Sequence, residues 1–245
     1  FTLPRNTCTG LVGENGGGKS TILRLIASTV KPDSGTVSVS RGTRIAFVEQ
    51  EPVFRTDRTT LEEVISSRDE LYRIQEEMRA LETCEDDESI VRYAALVAQY
   101  SDADGYSFEH EAASALEALG ITGNALDQLL STLSGGERAR VALAKGLLSD
   151  ADLLLLDEPD NHLDIAGITW LGNTLLRLRC AALIVTHDRD LLDRVADSII
   201  EIEDGHVSHE HGSLSEFLRR KRDQIDLQKR QYREQQRRIR GLEQA

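Results

Sequence analysis

The chain has 245 residues and a mass of 27.2 kDa, with 40% hydrophobic and 29% charged residues, which suits one large globular domain or one domain carrying an insertion. Its net charge of −13 argues against indiscriminate nucleic-acid binding by the body, and 4% aromatics argue against a base-stacking platform. No apolar run approaches the roughly 18–20 residues of a membrane span, no secretory leader is visible, and three scattered cysteines (Cys8, Cys84, Cys180) without a CxxC pair point to a reducing cytosol rather than a disulfide framework or structural zinc.

Thr9–Val12 reads as a short buried strand that enters a glycine-rich turn, and Ser20–Ala27 as the helix beyond it. Thr36–Val39 and Arg44–Val48 alternate as β-branched strands around a Ser-Arg-Gly turn. From Leu61 to about Leu119 the pattern is helical, with a break at Thr83–Glu88; Leu116, Leu119 and Ile121 pack its end and Gly120 stops it. Between Glu62 and Glu117 there are 16 Asp or Glu against four Lys or Arg, so this part reads as a helical insertion outside the sheet. Ser134–Leu148 is a helix, Leu153–Leu156 a buried strand, Asp164–Leu178 a helix and Ala182–Thr186 a strand. Ser198–Glu203 and His206–His209 flank Asp204-Gly205, a hairpin signal. From Leu214 the pattern is helical to the end. Strands alternating with helices predict an α/β domain with a largely parallel sheet.

The last stretch differs from the body. Arg219–Arg240 holds ten Lys or Arg and three Asp or Glu. Leu218, Ile225, Tyr232 and Ile239 recur every seven residues, one apolar residue per heptad, too thin a stripe for a self-sufficient coiled coil. A basic helix on an acidic body suggests an appendage that meets a phosphate-rich partner; charge alone is equally compatible with a solvated helix face. Residue 1 is Phe, and the chain stops inside a helical pattern, so the sequence reads as a piece of a longer protein.

Three motifs carry chemistry. Gly13-Glu14-Asn15-Gly16-Gly17-Gly18-Lys19-Ser20-Thr21 matches a phosphate loop between a strand and a helix. Its glycines let backbone N–H groups wrap phosphate, Lys19 is placed for the β- and γ-phosphates, and Ser20 for Mg²⁺. Leu153–Pro159 is an all-leucine strand that ends in Asp157-Glu158, at the strand end where α/β sheets place ligands. Asp157 would orient the Mg²⁺ shell and Glu158 would polarise the attacking water. Ser134 and Glu137 form a capping box around Gly135 and Gly136, whose bare backbone leaves a second anion-facing helix start.

In this order, with an isolated histidine after a buried strand, the motifs resemble the ABC ATPase family. The resemblance implies an ABC-type P-loop nucleotide-binding domain binding ATP with Mg²⁺, sandwiched between the phosphate loop of one domain and the Ser134–Glu137 region of another. It implies that Gln50 contacts Mg²⁺ and the attacking water, and that His187 contacts the γ-phosphate. Asp157–Asp164, DEPDNHLD, is similar to the DEPTNHLD of the ABC-F branch, soluble twin ATPases without a membrane domain; Asp160 stands where Thr is usual. Asp164 would face the opposing domain. The division implied is 1–60 and 121–212 for the ATP-binding core, 61–120 for a helical subdomain with a short arm, and 213–245 for the start of a basic interdomain linker helix. The partners implied are a second ATPase domain, within the full-length chain or in a homodimer, and the ribosome and transfer RNA, with no membrane insertion and a cytoplasmic location. The function expected is ATP hydrolysis, weak in isolation, in translation or antibiotic resistance. The alternatives are the ATPase subunit of a membrane transporter and a scaffold in which the nucleotide is structural. The aromatic residue that stacks on adenine in the family lies upstream of the phosphate loop and is not in this sequence.

Overall fold

A computed structural model describes residues 1–50, 52, 54, 57–84 and 86–243, with side chains through 233. Six strands form one sheet in the order β2-β3-β4-β1-β5-β6. These are β1 (Cys8–Gly13), β2 (Ile45–Val48), β3 (Leu153–Asp157), β4 (Ala181–Val185), β5 (Ser198–Glu203) and β6 (His206–His211). All neighbouring pairs are parallel except β5 with β6, a hairpin closed by Asp204 and Gly205 at φ +50° and +75°. Both turn residues are left-handed, as the twist of a tight hairpin requires.

The leucine run of β3 shows why the sheet must be covered twice. Leu154 and Leu156 belong to one buried cluster, Leu153 and Leu155 to the other, because successive side chains of a strand point to opposite faces. Each fully buried leucine contributes about 1.5–3 kcal/mol of transfer free energy, so this strand is stable only inside the sheet. Helix α1 (Lys19–Ile26) covers one face through Leu23 and Ile26. On the other lie α6 (Gly135–Leu147), α7 (Ile165–Leu175), α8 (Arg189–Val195) and the first turns of α9 (Leu214–Glu243), which bury Leu214 and Phe217. Helix α8 was not anticipated: seven residues are too few to show a helical period, and Asp188 starts it by capping the amide of Leu191 at 2.9 Å.

The helical stretch is four helices: α2 (Thr60–Ile65), α3 (Asp69–Leu81), α4 (Asp87–Asp102) and α5 (Gly105–Ala118). The expected break falls between α3 and α4, where Asp86 caps the amide of Ser89 at 2.9 Å. Helices α3 and α4 have their own small core of Leu71, Ile74, Leu96 and Tyr100, with Phe108 of α5. Gly120 ends the stretch at φ +78°.

Thr36–Val39 is not a strand. Val37 and Val39 are 45% and 39% exposed and no β-partner lies beside them, so their alternation has no ladder to join. Ile45–Val48 pairs with β3 instead of forming a hairpin with them. Among the described residues no helix is long and apolar enough to cross a membrane, and all three cysteines are free. Burial pushes the Cys8 thiol up to about 12.

Candidate functional site

The phosphate loop is shaped by positions that only glycine fills. At Gly13, φ is +153° and a Cβ would lie 2.4 Å from the carbonyl oxygen of Ile202 in β5. Gly18, at φ +89°, is the N-cap of α1 and brings no side chain to the helix start. The first amides of α1 are thus left without a side-chain acceptor, and with the helix dipole they suit an anion. Lys19 is buried, and its ammonium donates to the carbonyls of Gly13 and Glu14, each at 2.9 Å. Glu14, Asn15, Gly16, Gly17 and Thr21 are exposed around it.

Strand β3 delivers the two carboxylates. Asp157 is 3% exposed, and its Oδ1 has no hydrogen-bond partner. Burial raises its carboxyl above the usual value; a hydrogen bond with the Ser20 hydroxyl opposes this, and the charge of Glu158 adds to the rise. An orphaned carboxylate oxygen beside a hydroxyl fits Mg²⁺, which binds through one or two protein oxygens and completes its shell with water and phosphate.

Glu158 is the point of convergence. Strands β2, β3 and β4 are neighbours, so the residues that leave their C-terminal ends meet. Gln50, just beyond β2, donates from Nε2 to Glu158 Oε2 at 3.1 Å, and His187, just beyond β4, has Nε2 at 3.3 Å from Oε1. Asn161 donates from Nδ2 to Oε2 at 2.8 Å. The backbone of Glu158 is left-handed, φ +50°, and its amide donates to the Val185 carbonyl at 2.8 Å. A non-glycine residue in that conformation costs about 1–2 kcal/mol; here the carboxylate's three partners and the strand contact hold it. Sequence reasoning placed Gln50, Glu158 and His187 but gave Asn161 no role. Its spacing of three residues from Glu158 in a turn was the available signal.

The Ser134–Glu137 region lies elsewhere, beside the turn after β3. Ser134 and Glu137 cap one another reciprocally: the Ser134 amide donates to Glu137 Oε2 at 2.8 Å, and the Glu137 amide donates to Ser134 Oγ at 3.3 Å. The Ser134 hydroxyl also donates to that carboxylate at 2.6 Å, holding Glu137 below its ordinary pKa. A Cβ on Gly135 would meet open space, whereas one on Gly136 would lie 3.5 Å from the side chain of His162. Arg140 donates to the His162 carbonyl at 3.2 Å. Asp164 caps α7, accepting from the Gly167 amide at 2.8 Å, and Ile165 beside it is 85% exposed.

A cleft lined by Glu14, Lys19, His187, Arg189, Glu201 and Phe217 separates the phosphate loop from the root of α9. Lys221 of α9 bridges Glu201 and Glu203 at 2.8 Å each, and Arg220 donates to Glu210 at 2.7 Å. The basic helix is therefore anchored to the β5–β6 hairpin by its first turns. Of the heptad stripe, Leu218, Ile225 and Tyr232 are 37%, 39% and 63% exposed, and the side chain of Ile239 lies outside the described residues.

The sheet, phosphate loop and Asp157-Glu158 strand end together define an ATP-binding cassette domain. The chain belongs to the ABC transporter family, whose profile matches residues 1–161. Within that family, highly similar curated relatives include ABC-F proteins, as the DEPDNHLD segment led us to expect. It is 37% identical over 223 residues to the energy-dependent translational throttle protein EttA of Mycobacterium tuberculosis (strain ATCC 25618 / H37Rv), covering 89% of this chain and 40% of that protein. It is 37% identical over 232 residues to the tylosin resistance ATP-binding protein TlrC of Streptomyces fradiae, covering 91% of this chain and 42% of that protein. The chain thus spans about two fifths of the length of these relatives. In fold it resembles the ATP binding subunit of an ABC transporter with a TM-score of 0.65 at 20% identity, over 90% of this chain and 84% of that one.

Proposed function

We propose that the chain is the ATP-binding and ATP-hydrolysing domain of an ABC-F protein that acts on the ribosome in translation or in antibiotic resistance, within the cytoplasm. The observation that carries the hydrolytic reading is the triple hold on Glu158 by Gln50, Asn161 and His187. A carboxylate fixed by two amide donors and an imidazole can orient a water for in-line attack on a terminal phosphate and take its proton. In this reading the phosphate loop, Gly13 and Asn15–Thr21, cradles the nucleotide, and Lys19 exchanges its two loop carbonyls for phosphate oxygens. Asp157, Ser20 and Gln50 would hold Mg²⁺, and Gln50 would also reach the attacking water. When bound, the ion would neutralise charge on the phosphates. His187 leaves Glu158 for the γ-phosphate. Ser134, Gly135, Gly136, Glu137 and Asp164 face the nucleotide of a second ATPase domain, a reading supported by the contacts of Gly136 and Arg140 with the His162 turn rather than with the phosphate loop.

Residues 1–60 and 121–212 form the ATP-binding core in this proposal, 61–120 the helical subdomain and arm, and 213–245 the start of a linker. The ribosomal part rests on the names of the relatives and on α9, whose basic residues beyond Lys221 extend from a fixed root toward a phosphate-rich partner such as ribosomal or transfer RNA. The test is co-sedimentation of the complete parent protein carrying Glu158→Gln with ribosomes, with and without Mg²⁺-ATP. Pelleting that depends on ATP supports the proposal. Recovery on membranes with no ribosome pelleting moves the assignment to a transporter subunit.

A further inference from the structure

Arg189 is a cation at the edge of the nucleotide site that the reading above does not use. It follows His187 by two residues and is the first residue of α8. Its side chain is exposed and, among the described residues, has no hydrogen bond or ion pair. The backbone that carries it is held on both sides. The Asp188 amide donates to Thr186 Oγ1 at 3.0 Å, and the Asp188 carboxylate accepts from the Leu191 amide at 2.9 Å. Three residues on, Leu192 is buried and presses on β1, where a Cβ on Gly10 would lie 2.9 Å from it. Residues three apart on a helix share a face, so Arg189 stands beside Leu192 on the face of α8 turned to β1. That strand runs directly into the phosphate loop.

Arg189 and Leu192 both line the cleft, of about 300 Å³, that also takes in Glu14, Lys19 and His187. Most charges on its walls are already engaged. The Lys19 ammonium donates to the Gly13 and Glu14 carbonyls, and His187 Nε2 lies 3.3 Å from Glu158 Oε1. Glu201 and Glu203 share Lys221 at 2.8 Å each. Of the charged residues that line the cleft, Glu14 and Arg189 are the ones whose side chains hold no partner. Glu14 repels phosphate. Arg189 offers a planar fork of N–H donors that matches two oxygens of one phosphoryl group. Unlike Lys19, it has no hydrogen bonds to give up before it can bind there.

We infer that Arg189 is a further catalytic residue: its guanidinium binds the terminal phosphoryl group of ATP alongside Lys19 and stabilises the charge on that group as its bond to ADP breaks. This rests on the hydrolytic reading above. In that step water attacks the terminal phosphorus, its proton passes to Glu158, and the electrons of the broken P–O bond leave with ADP. Arg189 transfers no proton; it supplies charge and two donors where the terminal oxygens lie. ADP lacks the group that Arg189 binds, so the contact distinguishes the substrate from the product.

The experiment uses the complete parent protein with Arg189→Gln and Arg189→Lys. It measures steady-state kcat and KM for ATP, equilibrium binding of ADP, and thermal melting without nucleotide. We expect Arg189→Gln to lower kcat about a hundredfold, the scale of removing one preorganised donor from a developing anion. ADP should bind within about twofold of wild type, a loss confined to the step that involves the terminal phosphoryl group. Arg189→Lys, which keeps the charge and loses the fork, should be about tenfold faster than Arg189→Gln. Melting should be unchanged, since the side chain is exposed and unpaired. An active wild type whose kcat is unchanged by Arg189→Gln overturns the inference alone. So does a loss of ADP affinity as large as the loss of kcat, or an Arg189→Lys variant as slow as Arg189→Gln. A wild type that turns over no faster than its Glu158→Gln variant overturns the hydrolytic reading, and this inference with it.

Discussion

The side-chain amide of Asn161 donates to Glu158 Oε2 at 2.8 Å, across a turn in which Glu158 and His162 both take left-handed backbone conformations, φ +50° and +68°. The turn after β3 therefore does two things. It points Glu158 back between Gln50 and His187, and it supplies a donor of its own to keep the carboxylate there. Replacing Asn161 by Ala removes one of two amide donors on the same oxygen. Turnover by the parent protein should fall about tenfold, the scale of a misplaced catalytic group, with ATP affinity preserved. Steady-state kinetics alongside ATP binding would check it; equal losses in both would refute the assignment.

Asp157 is a buried carboxylate with an unpartnered oxygen, raised in pKa chiefly by that burial. Its charged form is therefore a burden on the nucleotide-free fold. As a raised acid it favours the native state at low pH and weighs against it once pH passes the ordinary value of 3.8. Asp157→Asn should raise the melting temperature of the nucleotide-free protein at neutral pH by about 2–4 °C, equivalent to roughly 1 kcal/mol. The same change should abolish the extra stabilisation that Mg²⁺ adds to ATP. Differential scanning fluorimetry with ATP plus Mg²⁺ or EDTA reads both effects.

Glu137 has the opposite sign. The hydroxyl and amide of Ser134 hold its carboxyl below the usual 4.5. Stabilisation from a depressed carboxyl is complete above the ordinary value and is lost as pH falls through the lower one. An NMR titration should find Glu137 below 4.5 in the native protein and raised toward its ordinary value in Ser134→Ala, which removes the hydroxyl but keeps the backbone amide of residue 134. That variant also loses a helix cap, about 1 kcal/mol at neutral pH, and the loss should shrink in acid, where Glu137 is protonated. A Glu137 titration unchanged by Ser134→Ala would contradict the capping geometry.

Gly13 faces a backbone atom, not a side chain that can rotate away. A Cβ at 2.4 Å from the Ile202 carbonyl oxygen forces β1 and β5 apart where the phosphate loop begins. Gly13→Ala should cost roughly 1–3 kcal/mol and weaken ATP binding together with stability. Gly135→Ala is the contrast, because its Cβ would meet nothing within 4 Å. Stability there should be nearly unchanged, and only an activity that needs a second domain against that surface should suffer. Urea melts of the two variants distinguish the sites.

Much of this protein is set by local sequence. A run of four leucines has no home but a sheet centre, GENGGGKST bends only as a phosphate loop, Asp204-Gly205 closes a hairpin, and Ser134 with Glu137 starts a helix. Each needs only neighbours within a few residues, through backbone preference, capping or side-chain alternation. What the tertiary structure decided depends on strand order. Gln50, Glu158 and His187 are far apart in sequence, and they meet because β2, β3 and β4 lie side by side. Thr36–Val39 pairs with no strand: its alternation is that of a strand, but alternation alone supplies no ladder, and these residues stay exposed beside the sheet's named strands. The buried pairing of Glu63 with Arg58 and Lys145 was equally invisible. One acidic residue among 16 in a helical stretch carries no local mark of burial, and only the packing of α2 against α6 shows which one is enclosed.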